Sequence, residues 1–359
     1  MKKLDSYILK KFLGTFFFSI ALIISISIVF DFSENVDEFI EKSAPTEAII
    51  FDYYLNFIPY FANLFSPLFI FISVIFFTSK MASNTEIISI LASGISFRRM
   101  LYPYLIGAIL IGVLSLYLNN FLIPKSNVKM LEFQYTYIKN PRKNKDKNIH
   151  LQLSENNFAY IGSYAVSTNV GVKFSLERFN DKGELTYKLI SDYIRWDTTK
   201  KAWNIQNYYE RHINGTNEII NRGLSKDTVL NMFPYEFSGG TADIAILDYF
   251  ELNKEIEKLK FKGSKHVINL EIEKHKRIAF PFATLILTFM GVAIASKKVR
   301  GGIGMHLGVG LALSFSYIMF MKITQTFSTN GSLDPMTAMW IPNFVYGALA
   351  FYLIKRAPK

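Results

Sequence analysis

Six uncharged, largely apolar runs constrain this chain more than any other feature: residues 12–30, 55–79, 101–123, 278–295, 303–321 and 337–354. None contains Asp, Glu, Lys or Arg, and the shortest is 18 residues. A helix rising 1.5 Å per residue crosses the hydrocarbon core of a bilayer with about 20 residues. A soluble globule would have to bury six uncharged helices of this length in a chain of only 359 residues. The composition agrees, being 50% hydrophobic, 16% aromatic and 19% charged, and it excludes disorder. Lys2, Lys3, Lys10 and Lys11 precede the first run, as they would in a signal peptide. That run is longer than a typical h-region and no A-x-A site follows, so it is expected to be retained as a span.

The basic residues orient the spans. Lys2, Lys3, Lys10 and Lys11, then Lys80, Arg98 and Arg99, then Lys297, Lys298 and Arg300, then Lys355, Arg356 and Lys359 all fall on one side. The short loops of the other side offer Lys42 and Lys322. By the excess of Lys and Arg in cytoplasmic loops, both termini are expected inside. The loop after the first run agrees, with Asp31, Glu34, Asp37, Glu38, Glu41, Glu47 and Asp52. The polar island between the third and fourth runs is then extracytoplasmic. It carries a large share of the net charge of +11, so that basicity faces away from nucleic acid.

The expected fold is an α-helical membrane protein of six transmembrane helices, three before and three after an inserted all-β, jelly-roll-like domain. The boundaries read as 1–123 for spans one to three, 124–277 for the island and 278–359 for spans four to six. From about 148 to 238 the pattern has period two. Leu185, Tyr187 and Leu189 alternate with Glu184, Thr186 and Lys188, and the turn signals Asn180-Asp181-Lys182-Gly183, Asp197-Thr198-Thr199-Lys200 and Asn214-Gly215 break the runs. Leu185, Tyr187 and Leu189 are expected to point inward, toward acyl chains. From 247 to 262 the period becomes helical, with Ile256 and Leu259 on one face, and Gly263 stops the helix.

Several chemistries are missing from the sequence. No Cys is present, which excludes thiolate metal sites and Cys nucleophiles. There is no G-x-x-x-x-G-K-[ST], no G-x-S-x-G and no H-E-x-x-H, and the five His have no metal-ligand spacing. No cofactor is expected. The spans carry no titratable group except His306 and tyrosines, whereas ion-coupled transporters place carboxylates or basic groups inside the membrane. Any energy for transport is therefore expected from another subunit.

Residues 81–100 read MASNTEIISILASGISFRRM. Ser83 and Glu86 fit a capping box, Gly94 a helix stop, and Ile87, Ile90 and Leu91 share one face. A helix of about ten residues is marginal in water, so its apolar face must dock. It is either a coupling helix for an ATPase, spanning about 83–94, or an interfacial helix lying on the membrane.

At this point the chain resembles the LptF/LptG permease family, the membrane subunits of the ABC-type lipopolysaccharide exporter of Gram-negative bacteria. The residues that carry the resemblance occur in order. They are Leu4-Asp5-Ser6-Tyr7-Ile8, then Pro59 and Pro67, then Glu86 with Leu91-Ala92-Ser93-Gly94-Ile95-Ser96. Glu271, Lys274, Arg277 and Pro281 follow the island, then Arg300-Gly301-Gly302 and Trp340-Ile341-Pro342-Asn343. The Leu4-Asp5 start and the length are more similar to the LptG branch than to LptF. The resemblance implies a non-catalytic permease subunit of the inner membrane. Its implied partners are a cytoplasmic LptB-like ATPase dimer, a second, LptF-like permease subunit and periplasmic β-jelly-roll bridge proteins of LptC/LptA type. Lipopolysaccharide would be drawn from the membrane and passed along that bridge.

The resemblance also assigns residues. Glu86, Ile87, Ile90, Leu91 and Gly94 would form the ATPase-coupling helix. Span one, with Phe16, Phe17, Phe18, Ile23, Ile26 and Phe30, would line a lateral opening together with span five of the partner. In this chain span five carries Gly304 and Gly308 in a G-x-x-x-G, a spacing that also serves ordinary close helix packing. Some relatives place basic residues where span one leaves the membrane. Here Asp31, Glu34, Asp37 and Glu38 stand there, so phosphates would fall to the partner subunit or the basic island. Two other readings remain open at the level of sequence: a non-transporting scaffold that displays a β domain for envelope assembly, and an ion-coupled lipid flippase. The charge-free spans weigh against the flippase, and a scaffold has no use for the Glu86 helix.

Overall fold

The structure, a computed structural model, describes residues 3–138, 147–166, 168–215, 217–237, 244–299 and 302–357. Lys2, Lys359 and the Arg300-Gly301 pair of the motif before span five lie outside these residues. Six helices are long and apolar enough to cross a membrane. We label them α1 (Lys3–Glu41), α2 (Thr46–Ser83), α4 (Phe97–Tyr137), α6 (Val267–Ala295), α7 (Gly302–Thr329) and α8 (Pro335–Lys355). Two shorter helices are α3 (Glu86–Ala92) and α5 (Tyr249–Phe261). The chain divides into two compact units, one holding the six long helices and the other holding the strands and α5.

The long helices outrun the apolar runs. α1 has 39 residues, roughly 58 Å at 1.5 Å per residue, nearly twice the hydrocarbon thickness. The acidic residues Asp31, Glu34, Asp37 and Glu38, expected in a loop, therefore lie on its helical extension. Packing keeps this extension helical despite the poor helix propensity of Asp, because Phe39 is buried against Tyr53 and Phe133. Asp31 is held there by the Tyr53 and Tyr54 hydroxyls at 3.0 and 3.1 Å. Two π-helical stretches, Ile49–Tyr54 and Leu118–Leu122, interrupt α2 and α4.

Buried residues of α1 recur every three to four positions, at Asp5, Ile8, Phe12, Phe16, Ile20 and Ile24. That stripe packs on Ile70, Val74 and Phe77 of α2 and on Met100, Tyr104 and Ile111 of α4. Phe12 fits because Gly107 lacks a Cβ, which would stand 2.5 Å from its ring. A second core joins Phe71 and Ile75 of α2 to Leu287 and Met290 of α6, Tyr317 of α7 and Tyr346 of α8. Two glycines permit it. A Cβ at Gly291 would stand 2.9 Å from Phe71, and one at Gly310 would overlap Ile75. A residue larger than hydrogen at either place would force these helices apart.

The inserted domain is all-β, as expected. Its six strands are β1 (Lys147–Ser154), β2 (Asn157–Ala165), β3 (Val170–Phe179), β4 (Leu185–Asp197), β5 (Ala202–Asn214) and β6 (Asn217–Thr228). They form one antiparallel sheet in the order β1-β2-β3-β4-β5-β6. Every described pairing is thus between sequence neighbours, an up-and-down meander rather than the Greek-key crossing of a complete jelly roll. Short turns dictate this, because consecutive strands joined by two to five residues pair before any distant strand reaches them. The core is built on Trp203, Phe174, Ile194 and Ile205, and the Trp203 indole donates to the Met232 carbonyl at 3.0 Å.

The inward alternation changes parity along one line across the sheet. On β3 the buried positions are Leu176, Phe174 and then Gly171; on β4 they are Leu189, Ser191 and then Ile194; on β2 they are Ala159, Ile161 and then Tyr164. At that line Asn148, Lys173 and Asn207, on alternate strands, take left-handed φ of 55°, 59° and 49°. A left-handed residue turns the following side chain to the other face. Because the turns fall in register, the whole sheet switches together.

α5 runs from Tyr249 to Phe261 with Leu252, Ile256 and Leu259 buried, and Gly263, at φ 62°, ends it by donating to the Lys260 carbonyl. Its end seals the β1 edge. Gln152 donates its backbone N–H to the Lys262 carbonyl at 3.0 Å, and the buried Lys262 ammonium donates to the Asn231 carbonyl at 2.6 Å.

Candidate functional site

The residues expected to couple this chain to an ATPase come together on α3, at the end of the bundle where α1 begins. Ile87 is 1% exposed and seats the helix on the first core, and Ile90 and Leu91 pack partly against the same cluster. The apolar face therefore docks on the chain's own helices. Outward it presents Ile88, Ser89, Ala92 and Ser93. Gly94 takes φ 85° and donates to the Leu91 carbonyl at 3.0 Å, the stop its position implied.

The capping box does not form. Ser83 is the last residue of α2, and only Asn84 and Thr85 separate that helix from α3. Thr85 stands at the N-cap with φ 62° and makes no side-chain cap. Ser83 is thus still helical, and its hydroxyl cannot turn to the first N–H groups of α3. Freed from capping, the Glu86 carboxylate faces other donors: the Tyr7 hydroxyl of α1 at 3.1 Å and the Asn84 amide at 3.3 Å. Just beyond α3, Ser96 caps α4 by accepting from the Arg99 N–H at 3.3 Å. The Arg99 guanidinium makes a two-pronged bond to Asp5 of α1, at 2.8 and 2.7 Å. Tyr7, Asp5 and Arg99 were not singled out as site residues in the sequence, because partners 79 and 94 residues apart leave no local pattern.

The residues expected along a lipid path divide. Phe16 is 4% exposed inside the first core, so it does not line an open face. An apolar stripe that runs all round a helix does not mark which side its neighbours cover. Ile23 is half-buried, while Phe18 and Phe30 are 69% and 73% exposed. A Cβ at Gly304 or Gly308 would meet nothing within 4 Å, so the G-x-x-x-G packs against none of the described residues. Met305, Val309, Phe315 and Met319 extend that open face of α7. The glycine that does bring α7 close to α2 is Gly310, two residues on.

In the strand unit Leu189 is buried and Tyr187 is half-buried against the same core, as expected, but Leu185 leaves that face: a bulge pairs it with Phe179 and breaks the alternation between Leu185 and Tyr187. The inner face is polar at this end. The Tyr187 hydroxyl donates to Glu210 at 2.9 Å and Lys226 pairs with the same carboxylate at 2.8 Å. Burial alone would raise the Glu210 pKa, but the hydrogen bonds from Lys226 and Tyr187 outweigh it and hold it below the ordinary value. Burial and the Glu210 charge together push the Tyr187 hydroxyl up. Among the described residues β6 pairs with β5 alone, and it exposes Ile219, Ile220 and Leu224.

A polar cluster on the bundle escaped sequence reading. Glu273 pairs with Lys276 at 2.9 Å and with Arg277 at 3.2 Å, and Arg277 donates to the Leu247 carbonyl at 2.8 Å. The Asn127 amide donates to the Ala245 carbonyl at 3.0 Å. Together they pin the chain where it returns to the helices. A cavity of about 60 Å³ lies beside them, lined by Tyr60, Asn63, Asn119 and Asn127. The i, i+3, i+4 spacing of Glu273, Lys276 and Arg277 was the available signal. His306 donates its Nε2–H to the Lys297 carbonyl at 3.0 Å.

Six membrane-length helices, split three and three by an antiparallel sheet, define a multi-pass membrane protein with an inserted β domain. Residues 6–356 match the family described as lipopolysaccharide export system permease LptF/LptG, and the chain belongs to that family. Its members are permease subunits of lipopolysaccharide export and not catalysts; the match spans the LptF and LptG branches together. No curated protein matched the chain.

Proposed function

We propose that this chain is a transmembrane subunit of an ABC-type lipopolysaccharide exporter in the bacterial inner membrane. Both termini and α3 lie in the cytoplasm and the strand unit in the periplasm, as the Lys and Arg distribution requires. An ATPase dimer docks on α3, with Glu86 as the charged contact. A second permease subunit covers part of α1 and α7, whose open faces carry lipid toward the strands. The β6 edge, unpaired on its outer side among the described residues, offers N–H and C=O groups to a neighbouring β domain of the periplasmic bridge.

The observation that carries this reading is the seat of α3. A seven-residue helix between two spans is fixed by Ile87 on the bundle, yet turns Glu86 and an outer surface away from the core. That is what a partner needs in order to push on a bundle. The scaffold alternative gives the helix no such task. Purification from native cells in mild detergent tests the two. An ATPase and a second permease subunit should co-purify, and Glu86→Gln should weaken the ATPase association by roughly tenfold or more, the loss expected for one charge-assisted bond. Recovery of the chain with β-domain proteins but no ATPase would support the scaffold.

A further inference from the structure

We propose that Asp5, Tyr7 and Arg99 form the joint through which α3 moves the first span; this rests on the reading of α3 as the ATPase dock. The helix is bracketed by two links to the first turns of α1. Before it, Glu86 accepts from the Tyr7 hydroxyl at 3.1 Å. Beyond it, Arg99 grips Asp5 through both guanidinium nitrogens at 2.8 and 2.7 Å. The two bonds differ in stiffness. The Asp5 carboxylate is 3% exposed and meets a planar fork of two charge-assisted donors, a geometry that resists both rotation and sliding. The Tyr7 bond is single, neutral on the donor side and open to solvent, since Tyr7 is 41% exposed. A carboxylate has about four acceptor positions, and the Tyr7 and Asn84 bonds occupy two of them. A basic group of the ATPase therefore finds room on Glu86 without displacing Tyr7, and the carboxylate bridges partner and span.

What lies beyond the joint gives it a use. Past its first turns α1 is the least covered of the long helices: only 17% of its most apolar window is buried, against 56% for α2. Between its grip at Asp5 and its second anchor at Asp31 and Phe39, α1 is held by a single stripe and can turn about it, whereas α2 is held on several sides. Motion imposed on α3 and the adjoining start of α4 is thereby passed to the open face at Phe18, Leu22 and Phe30, while α2 stays in place. Asp5, Tyr7 and Arg99 are positioning residues, acting through α1 and α3.

The test uses the whole complex, purified with its ATPase and partner subunits and reconstituted with lipopolysaccharide. Two quantities are read for each variant, the ATPase retained and the lipid extracted per ATP hydrolysed. Tyr7→Phe, which keeps the ring and removes the hydroxyl, should retain the ATPase while extraction per ATP falls about threefold, the share of one neutral hydrogen bond. Asp5→Asn should lower it tenfold or more. The exchange Asp5→Arg with Arg99→Asp should recover part of the ratio that either single change loses. If Asp5→Asn fails to accumulate in the membrane, Tyr7→Phe and the exchange decide the matter. Wild-type extraction per ATP in Tyr7→Phe, with no recovery in the exchange, overturns the joint. So does a loss of extraction that only mirrors loss of the ATPase. Glu86→Gln separates the two levels: wild-type ATPase retention there removes the dock itself. Weakened retention there, beside full coupling in Tyr7→Phe and Asp5→Asn, removes only the joint.

Discussion

α1 and α2 are both long, both uncharged through their centres and nearly equal in hydropathy, yet the structure treats them differently. More than half of the most apolar window of α2 is buried within the chain, and only 17% of that of α1. α2 contributes to both large cores, whereas α1 shows one stripe to the first core, is anchored again at Asp31 and Phe39, and leaves the rest of its apolar surface open. α7 resembles α1 in this, at 22%. Hydropathy places a helix in lipid, but it does not say whether lipid, a partner or the chain's own helices will touch it. In a bilayer an open apolar face costs nothing by itself, because lipid tails are as apolar as Leu. Such a face is informative here because α1 and α7 both carry one, while the helix between the two cores does not.

Glycine substitutions should break the comparison with the largest effect. Gly310→Leu forces a side chain into Ile75 and Phe71 at the covered side of α7. Overpacking typically costs about 1–3 kcal/mol, and more where backbone must shift, so the variant should melt well below wild type in detergent. Gly308→Leu, two residues away on the open side, should leave the melting of the isolated chain within about 0.5 kcal/mol of wild type. If Gly308 faces the partner subunit, that same variant should co-purify less of it.

Changing Glu86 sharpens the comparison at the other end of α1. With no capping box to lose, Glu86→Gln should not disturb the fold of α3, and melting of the chain should stay within about 0.5 kcal/mol. ATPase retention should nonetheless drop. A melting shift as large as that of Gly310→Leu would make Glu86 a structural residue.

The strand unit gives a smaller, pH-dependent effect. Glu210 is held below its usual pKa of 4.5, so its ionised form stabilises the folded sheet. That contribution is complete above the usual value and is lost as pH falls through the lower folded value. Hydrogen exchange at the end of the sheet containing Tyr187 and Glu210 should speed up below about pH 4.5, and Glu210→Gln should flatten that acid dependence. The smallest effect is one of pattern. If the inner face holds acyl chains, photo-crosslinkers on β4 should capture lipid at Leu189 and Ser191 and then at Ile194, three residues on, rather than at Tyr193. Capture at Tyr193 would mean that lipid follows the period of the strand and not its buried side.

Much of this was legible in the sequence. Six charge-free runs, the three-and-three split and the alternating island each rest on local chemistry, and the structure reproduces them. The return helix and its Gly263 stop follow from composition within one window. What escaped reading depends on distant partners. Ser83 and Glu86 have capping-box spacing, but the tight junction at Thr85 and the Tyr7 hydroxyl, 79 residues away, redirect the carboxylate. The parity switch of the sheet rests on Asn148, Lys173 and Asn207 matching across strands, and one strand alone shows only an ordinary alternation. Phe16 and Phe18 are the same residue type two positions apart, and only packing tells the covered one from the open one.

Crosslinking from α1 and α2 inside the working complex tests the central claim most directly. Photo-reactive residues would replace Phe18, Leu22 and Phe30 on the open face of α1, and Ile70, Val74 and Phe77 on the covered side of α2. With lipopolysaccharide and ATP supplied, the α1 positions should capture lipopolysaccharide, the yield should change when hydrolysis is blocked, and the α2 positions should capture none. Equal capture with and without hydrolysis at the α1 positions, or capture from α2, would contradict the assignment of the open face of α1 to the path of the exported lipid.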